Sequence, residues 1–339
     1  MPKESKHILV IRLSAMGDVA MTVPILRALL QQHPKVKITV LTRTFFAPFF
    51  RDLVGVTVYS AEVKGKHKGV FGLFKLAQEL NKNKFYAIAD LHNVLRSKIL
   101  KRFLKCKQFV SIYKGRNEKH ELTSGKKFEQ LKTTHQRYAD VFETLGFKID
   151  LSNPNFPEKV ILNDKLQSFL GSPTRKAIGI APFAAHEGKM YPLDLMEKVI
   201  KVLSKDYTVI LFGGGHNEIA ILNDFESTFE YVVSVAGKLD LNEEMDLISN
   251  LDVMLSMDSG NAHIAAMLGI KVITIWGVTH PYAGFMPFNQ DKDNALLSDR
   301  NQFPLIPTSV YGNKYPENYK NVSGSILPSQ VIEKVKSML

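Results

Sequence analysis

The chain has 339 residues, 45% of them hydrophobic, too long for a single core and too apolar for wholesale disorder, so about two domains are expected. Its single cysteine, Cys106, excludes an internal disulfide and a cysteine-rich zinc site, and no apolar run nears the ~18 residues that a membrane-spanning helix requires. The net charge of +11 is unevenly spread: residues 1–170 hold 30 Lys and Arg against 14 Asp and Glu, residues 171–339 hold 14 against 19, and the first half therefore suits a polyanionic partner.

From Met1 to Lys6 the chain leads into only a short apolar stretch, so neither a secretory signal nor a signal anchor is expected and the chain reads as cytosolic. Ile8–Leu13 reads as a buried strand that ends in the small-residue turn Ser14-Ala15-Met16-Gly17, with Asp18 where a helix begins and a helical stretch over Thr22–Gln32. Two roles are open to Asp18 there: it can cap the helix, or its carboxylate, favoured in charged form by the helix dipole, can take a proton as a general base.

A strand over Lys37–Leu41 is followed by the basic cluster Lys64, Lys66 and Lys68, a helix over Leu73–Asn81, a strand over Phe85–Asp90, a helix over Ser97–Leu104 and a strand over Gln108–Ser111. Basic residues run on from Lys98 to Lys119, either as a solvated face or as a surface for phosphorylated lipid, anionic glycan or nucleic acid. The alternation is the βα rhythm of a parallel sheet covered on both faces. Asn153-Pro154-Asn155-Phe156-Pro157 and Gly171-Ser172-Pro173 punctuate the crossing between halves, which gives a first domain over residues 1–170 and a second over 171–327.

The second half repeats the rhythm, with strands over Ala177–Ile180, Thr208–Phe212, Tyr231–Ser234, Val253–Ser256 and Val272–Ile275, and helices over Leu193–Leu203, Glu218–Asn223, Asn242–Ser249 and Asn261–Leu268. After the first of these strands, the loop Pro182–Pro192 carries Lys189, a point charge suited to a phosphate or a bystander on a loop. Phe212-Gly213-Gly214-Gly215-His216-Asn217-Glu218 ends a strand in glycines, either as a tight turn or as a ligand loop in which Glu218 binds ribose hydroxyls. Asp258-Ser259-Gly260-Asn261-Ala262-His263 sets an acid, a hydroxyl and a glycine at the start of a small-residue helix, where unpaired amides make a diphosphate site; Asp258 can equally cap that helix, and His263 is more often structural. Pro328 opens a terminal helix over 328–339, able to pack back on the first domain.

Taken in order, Leu-Ser-Ala-Met-Gly-Asp-Val ending at Val19, Lys189 before Pro192, Phe-Gly-Gly-Gly-His-Asn-Glu ending at Glu218, and Met-Asp-Ser-Gly-Asn-Ala-His-Ile-Ala-Ala from Met257 resemble the ADP-heptose:lipopolysaccharide heptosyltransferases, glycosyltransferase family 9. The resemblance implies an α/β GT-B architecture, two Rossmann-like, doubly wound domains facing across a cleft, the first binding acceptor and the second nucleotide sugar. It implies an inverting, metal-independent transfer of heptose from ADP-heptose to a lipopolysaccharide inner-core acceptor, with no cofactor and no metal ligands. Carried over residue by residue, it makes Asp18 the general base, Lys189 the phosphate-binding catalytic lysine, Glu218 the ribose acid and Asp258 a donor-sugar contact. Ser259, Gly260, Asn261 and His263 align with the diphosphate segment, and the Gly237-Lys238-Leu239 turn with the one beside adenine. Ala184 and Ala185 depart from the pattern, since some members carry hydroxyls there. Lys64, Lys66, Lys68 and Arg96 are the acceptor candidates, for a phosphorylated or acidic lipid-linked glycan at the inner face of the cytoplasmic membrane. The alternatives are a related GT-B transferase with another nucleotide sugar and a non-catalytic anion- or nucleic-acid-binding protein, although no nucleic-acid motif with stacking aromatics stands out.

Overall fold

The computed structural model describes residues 6–339; Met1–Ser5, on which the expectation about a leader segment bears, lie outside the described residues. Two compact units divide the chain. The first runs to Lys114 and takes up Thr134–Asn155, and the second takes Gly115–Thr133 and Phe156–Leu339. This differs from a division at residue 170 in two places, each with a packing reason. The helix Asp164–Leu170 lies against the helix Leu241–Ile248 and a strand of the second unit. Segment 115–133 buries Leu122 and Leu131 with Ala283, sets the Lys119 ammonium 4.1 Å from the Phe285 ring, and donates the Leu131 N–H to the Tyr282 carbonyl at 2.9 Å.

In the first unit β1 (Lys6–Ile11), β2 (Val36–Thr42), β3 (Val56–Ser60), β4 (Ala87–Asp90) and β5 (Phe109–Ser111) form one parallel sheet in the order β3-β2-β1-β4-β5. The central strands β1 and β4 carry buried apolar runs because both of their faces are covered. On one face Leu9, Ile11, Leu41 and Ile88 pack with Leu73, Leu76, Leu80 and Leu100 from the helices Gly69–Leu80 and Leu95–Phe103. The helices Thr22–Gln32 and Thr134–Thr144 pack on each other elsewhere in the unit.

The second unit places β6 (Ala177–Ala181), β7 (Thr208–Leu211), β8 (Val232–Ser234), β9 (Val253–Met257), β10 (Lys271–Trp276) and β11 (Ala295–Leu297) in the parallel order β11-β10-β9-β6-β7-β8. Read outward from the first strand of each sheet, both units wind in one direction and then the other, which is the doubly wound, Rossmann-like pattern. The strand order reverses between β1 and β4 in the first unit and between β6 and β9 in the second. Crevices at such switch points, beyond the carboxyl ends of the strands, are where open α/β sheets bind ligands. The terminal helix Pro328–Met338 buries Val331 and Val335 in the second unit's core and packs on the helix Leu193–Leu203. That packing corrects the expectation that residues 328–339 return to the first domain: the two valines, four apart, form an apolar stripe that the second unit covers.

Candidate functional site

At the first unit's switch point, β1 runs into the turn at Ser14 and a short helix, Met16–Ala20, so that Asp18 falls in the first helical turn. Asp18 does cap: its Oδ2 accepts the Ala15 backbone N–H at 3.2 Å. The same oxygen lies 2.5 Å from a guanidinium nitrogen of Arg12, the residue that follows β1, and the described residues give Oδ1 no hydrogen bond. Arg12 is buried, its side chain 8% exposed against 25% for Asp18, and it donates a second bond to the Leu91 carbonyl at 2.6 Å. Burial works against its charge, but Tyr138, Asp18 and Asp90 outweigh burial and hold its pKa above the ordinary arginine value. The buried Tyr138 hydroxyl also donates to the Asp18 carbonyl at 3.2 Å. A carboxylate with one oxygen clamped and one open, half-exposed at a strand end, is suited to accept a proton.

Across the switch, β4 ends at Asp90, whose carboxylate takes the N–H groups of His92 and Asn93 and the hydroxyls of Ser97 and Ser111. That turn holds His92 buried, with its Nε2 3.5 Å from Ser14 Oγ. Burial first, then Arg12, Lys114 and Arg96, push the imidazole pKa down to about 3, so the ring is neutral. Arg96 thus stands within electrostatic reach of this crevice. Of the three acceptor lysines, Lys64 and Lys68 are exposed, whereas Lys66 is paired with Glu79 at 2.8 Å. Glu79 also receives the Tyr59 hydroxyl and the buried His67 ring at 3.2 Å, and Lys66, Tyr59 and His67 bring its pKa down to about 2. Lys66 therefore ties the loop to the helix Gly69–Leu80.

At the second unit's switch point, the β6 loop and the end of β9 converge. Lys189 Nζ lies 2.9 Å from Asp258 Oδ2, and Thr279 donates its hydroxyl to the same oxygen at 3.0 Å. Three glycines make this placement possible. A Cβ at Gly188 would stand 2.6 Å from Tyr315, one at Gly277 would stand 2.2 Å from the Gly188 carbonyl oxygen, and one at Gly312 would stand 2.3 Å from the Lys189 stem. The Lys189 loop threads a channel that side chains would close. Beside it the helix Gly260–Met267 starts with Ser259 at its cap, but the Ser259 hydroxyl is shared with Ser256 at 3.0 Å and caps no amide. Its first-turn N–H groups remain open to an anion, with Gly260 and Asn261 half-exposed and His263 buried in the helix.

Glu218 and Leu239 form a second cluster in this unit. The Glu218 carboxylate accepts the Gly214 N–H at 2.8 Å, folding back on the glycine turn that precedes the helix His216–Thr228. The Gly237 turn packs on that helix, since a Cβ at Gly237 would stand 3.0 Å from Ile219, and Leu239 is half-buried beside it. The structure thus brings together Lys189 with Asp258, and Glu218 with the Leu239 turn. Sequence reasoning missed Arg12, Tyr138, His92 and Thr279. Arg12 alone carried a signal: a charged residue directly after the four apolar residues Ile8–Ile11 of a strand is rarely buried unless paired.

Among the described residues, no cluster of His, Cys, Asp and Glu has metal-binding geometry and no helix is long and apolar enough to cross a membrane. Residues 73–311 match the family described as glycosyltransferase family 9 (heptosyltransferase). The chain is 28% identical to lipooligosaccharide heptosyltransferase 2 of Haemophilus influenzae, over 98% of this chain and 99% of that one. It is 22% identical to the lipopolysaccharide core heptosyltransferase OpsX of the same organism, over 86% and 84% of the two chains. A glycosyl transferase family 9 structure from Veillonella parvula superposes with a TM-score of 0.76 at 19% identity, covering all of this chain and 98% of that one. The E. coli heptosyltransferase WaaC, solved with ADP, gives a TM-score of 0.70 at 18% identity, covering 98% of this chain and all of that one. Two Rossmann-like units, the strand order of each and these likenesses make the fold GT-B. With the family matched over most of its length, the chain belongs to glycosyltransferase family 9, the heptosyltransferases.

Proposed function

We propose that this enzyme moves a heptose from ADP-heptose to an inner-core lipopolysaccharide acceptor by a single inverting displacement. The observation that carries the reading is the Lys189–Asp258 pair, set beside the uncapped start of the helix Gly260–Met267 at a switch point. A buried carboxylate there orients the ammonium, and a diphosphate entering between Lys189 and the open amides of Gly260 and Asn261 meets positive charge on both sides. As the bond from the anomeric carbon to the leaving ADP breaks, charge grows on that diphosphate and the same groups stabilise it. The scheme calls on Lys189 and these amides for that charge, and takes no divalent metal.

Asp18 acts at the other substrate. Its open Oδ1 removes the proton of the acceptor hydroxyl as that oxygen attacks the anomeric carbon from the face opposite ADP, which inverts the configuration. Arg12 holds Oδ2 and so presents Oδ1. Asp258 contacts donor sugar hydroxyls, Glu218 the ribose, and the Leu239 turn the adenine. Lys64, Lys68 and Arg96 take phosphates or carboxylates of a lipid-linked acceptor, with Lys66 holding their loop. An acceptor of that kind puts the enzyme at the inner face of the cytoplasmic membrane, as a peripheral protein. The names of the relatives and the ADP and ADP-2-deoxy-2-fluoro heptose bound to WaaC support the substrate assignment.

A thermal-shift screen with ADP-heptose, other ADP-sugars, UDP-sugars and GDP-sugars tests the donor. Stabilisation follows ligand concentration over Kd, about 2.7 kcal/mol at a hundredfold excess, so ADP-heptose should raise the midpoint most. Stabilisation by a UDP-sugar alone overturns the assignment.

A further inference from the structure

We infer that the outer face of the helices Gly69–Leu80 and Leu95–Phe103 in the first unit docks on an anionic bilayer, an inference that rests on the lipid-linked acceptor proposed above and gives that reading a surface. The helix Gly69–Leu80 divides cleanly: Leu73, Leu76, Ala77 and Leu80 face the core, while Val70, Phe71 and Phe74 turn outward at 54%, 92% and 44% exposure. Outward positions one and four apart are usually polar on a helix in water. Here they are large and apolar, and Lys75 and Gln78 continue the exposed stripe.

The neighbouring helix extends the patch and adds charge. Phe74 meets Phe103 edge to face with ring centres 5.2 Å apart, which joins the two helices. On the second helix Leu95 is 74% exposed, and Lys98 and Arg102, at positions three and seven beyond it, are exposed on the same side. Aromatic and aliphatic side chains with interleaved lysine and arginine are the composition of a face that lies in a membrane interface, the apolar groups among the headgroups and the cations against phosphates. The excess of basic residues over residues 1–170 gives the charge complementarity. The loop with Lys64 and Lys68 leads directly into the Val70 end of this face, so a lipid-anchored acceptor would be held where its anchor remains in the bilayer.

Co-sedimentation with vesicles of phosphatidylglycerol and phosphatidylethanolamine, against vesicles of phosphatidylcholine alone, tests it. The full chain should sediment with the anionic vesicles and far less with the neutral ones. Phe71→Ser with Val70→Ser should lower the partition coefficient about tenfold or more, since both side chains are exposed and neither supports the core. Lys98→Gln with Arg102→Gln should lower it roughly fivefold per charge, an effect that salt removes. Ile161→Ser, at a 97% exposed position of the second unit, should change nothing. Wild-type partition that ignores lipid charge, a Phe71→Ser, Val70→Ser variant that binds like wild type, or an equal loss on Ile161→Ser overturns the docking surface. So does a shift of that variant from dimer to monomer in light scattering with vesicle binding intact, which makes the patch a contact between copies. Transfer to a deacylated, water-soluble acceptor separates the two readings: the Phe71→Ser, Val70→Ser variant keeps it if only docking is lost, and wild type lacks it if the transfer reading is wrong.

Discussion

Both units place an acid and a cation after strands at a switch point, yet they expose opposite members of the pair. In the first, Arg12 is buried and Asp18 is the more open group; in the second, Asp258 is buried, at 7% side-chain exposure, and Lys189 is the more open at 15%. In each pair the buried partner fixes the orientation of the other, and the structure gives each acid two partners on Oδ2. The difference is one of sign. In the proposed reaction one Rossmann-like unit would present a carboxylate to an incoming hydroxyl and the other an ammonium to a departing phosphate, from scaffolds that wind their strands alike.

The strongest way to break this comparison is Asp18→Asn. The amide keeps the shape and a hydrogen bond to Arg12 but cannot take a proton, so turnover should fall about a thousandfold, within the range for loss of a general base. The midpoint rise produced by ADP should be unchanged, because the proposed donor contacts, Lys189 and Asp258 among them, belong to the second unit. Turnover within tenfold of wild type, measured by ADP release, removes Asp18 from the chemistry.

Lys189→Met sharpens the same comparison from the other side. It should cost about a hundredfold in turnover and, unlike Asp18→Asn, should abolish the ADP-induced midpoint rise. It also leaves Asp258 buried with the Thr279 hydroxyl as its partner on Oδ2, so the unfolding free energy should fall by about 3 kcal/mol. Adding Asp258→Asn should return stability without returning turnover. If the double variant is as unstable as the single one, the pair is not what sets the cost.

What could be read in advance follows from how local each signal is. The buried strands β1, β9 and β10 announce themselves as apolar runs, and the residues just beyond β1 and β9 stand out as site candidates because a parallel sheet binds ligands at its carboxyl edge. β3 escaped notice: Val56–Ser60 is an edge strand of half-buried residues with no apolar run. The helix Arg116–Thr123 is almost wholly polar, and nothing local says that it crosses to the second unit, since the decision rests on Leu131, Tyr282 and Phe285, far along the chain. The Lys189–Asp258 pair joins residues from two strand ends, so its members were visible singly and their contact was not. Lys66 shows the converse: a basic cluster reads as a binding surface until a distant carboxylate, Glu79, claims one member.

The smallest expected effect concerns two buried histidines, one in each unit. His92 is held neutral down to about pH 3 by burial and then by Arg12, Lys114 and Arg96; His280 is held neutral down to about pH 4 by burial and then by Arg300, with its Nδ1 accepting the Tyr282 N–H. Both would take a proton near pH 6.5 once unfolded. Between those values the unfolded chain binds more protons than the folded one, so stability is full above pH 6.5 and is lost as pH falls toward 4, by at most about 1.4 kcal/mol per pH unit for each ring. Trp276 is the chain's one tryptophan and lies in the second unit, so its emission follows that unit in urea. Its midpoint should drop between pH 7 and pH 5 in wild type, drop less in His280→Asn, and drop as in wild type in His92→Asn, whose effect should appear instead in the share of the circular-dichroism transition that Trp276 does not follow. A Trp276 midpoint equal at the two pH values would show that the His280 ring is not held neutral by its surroundings.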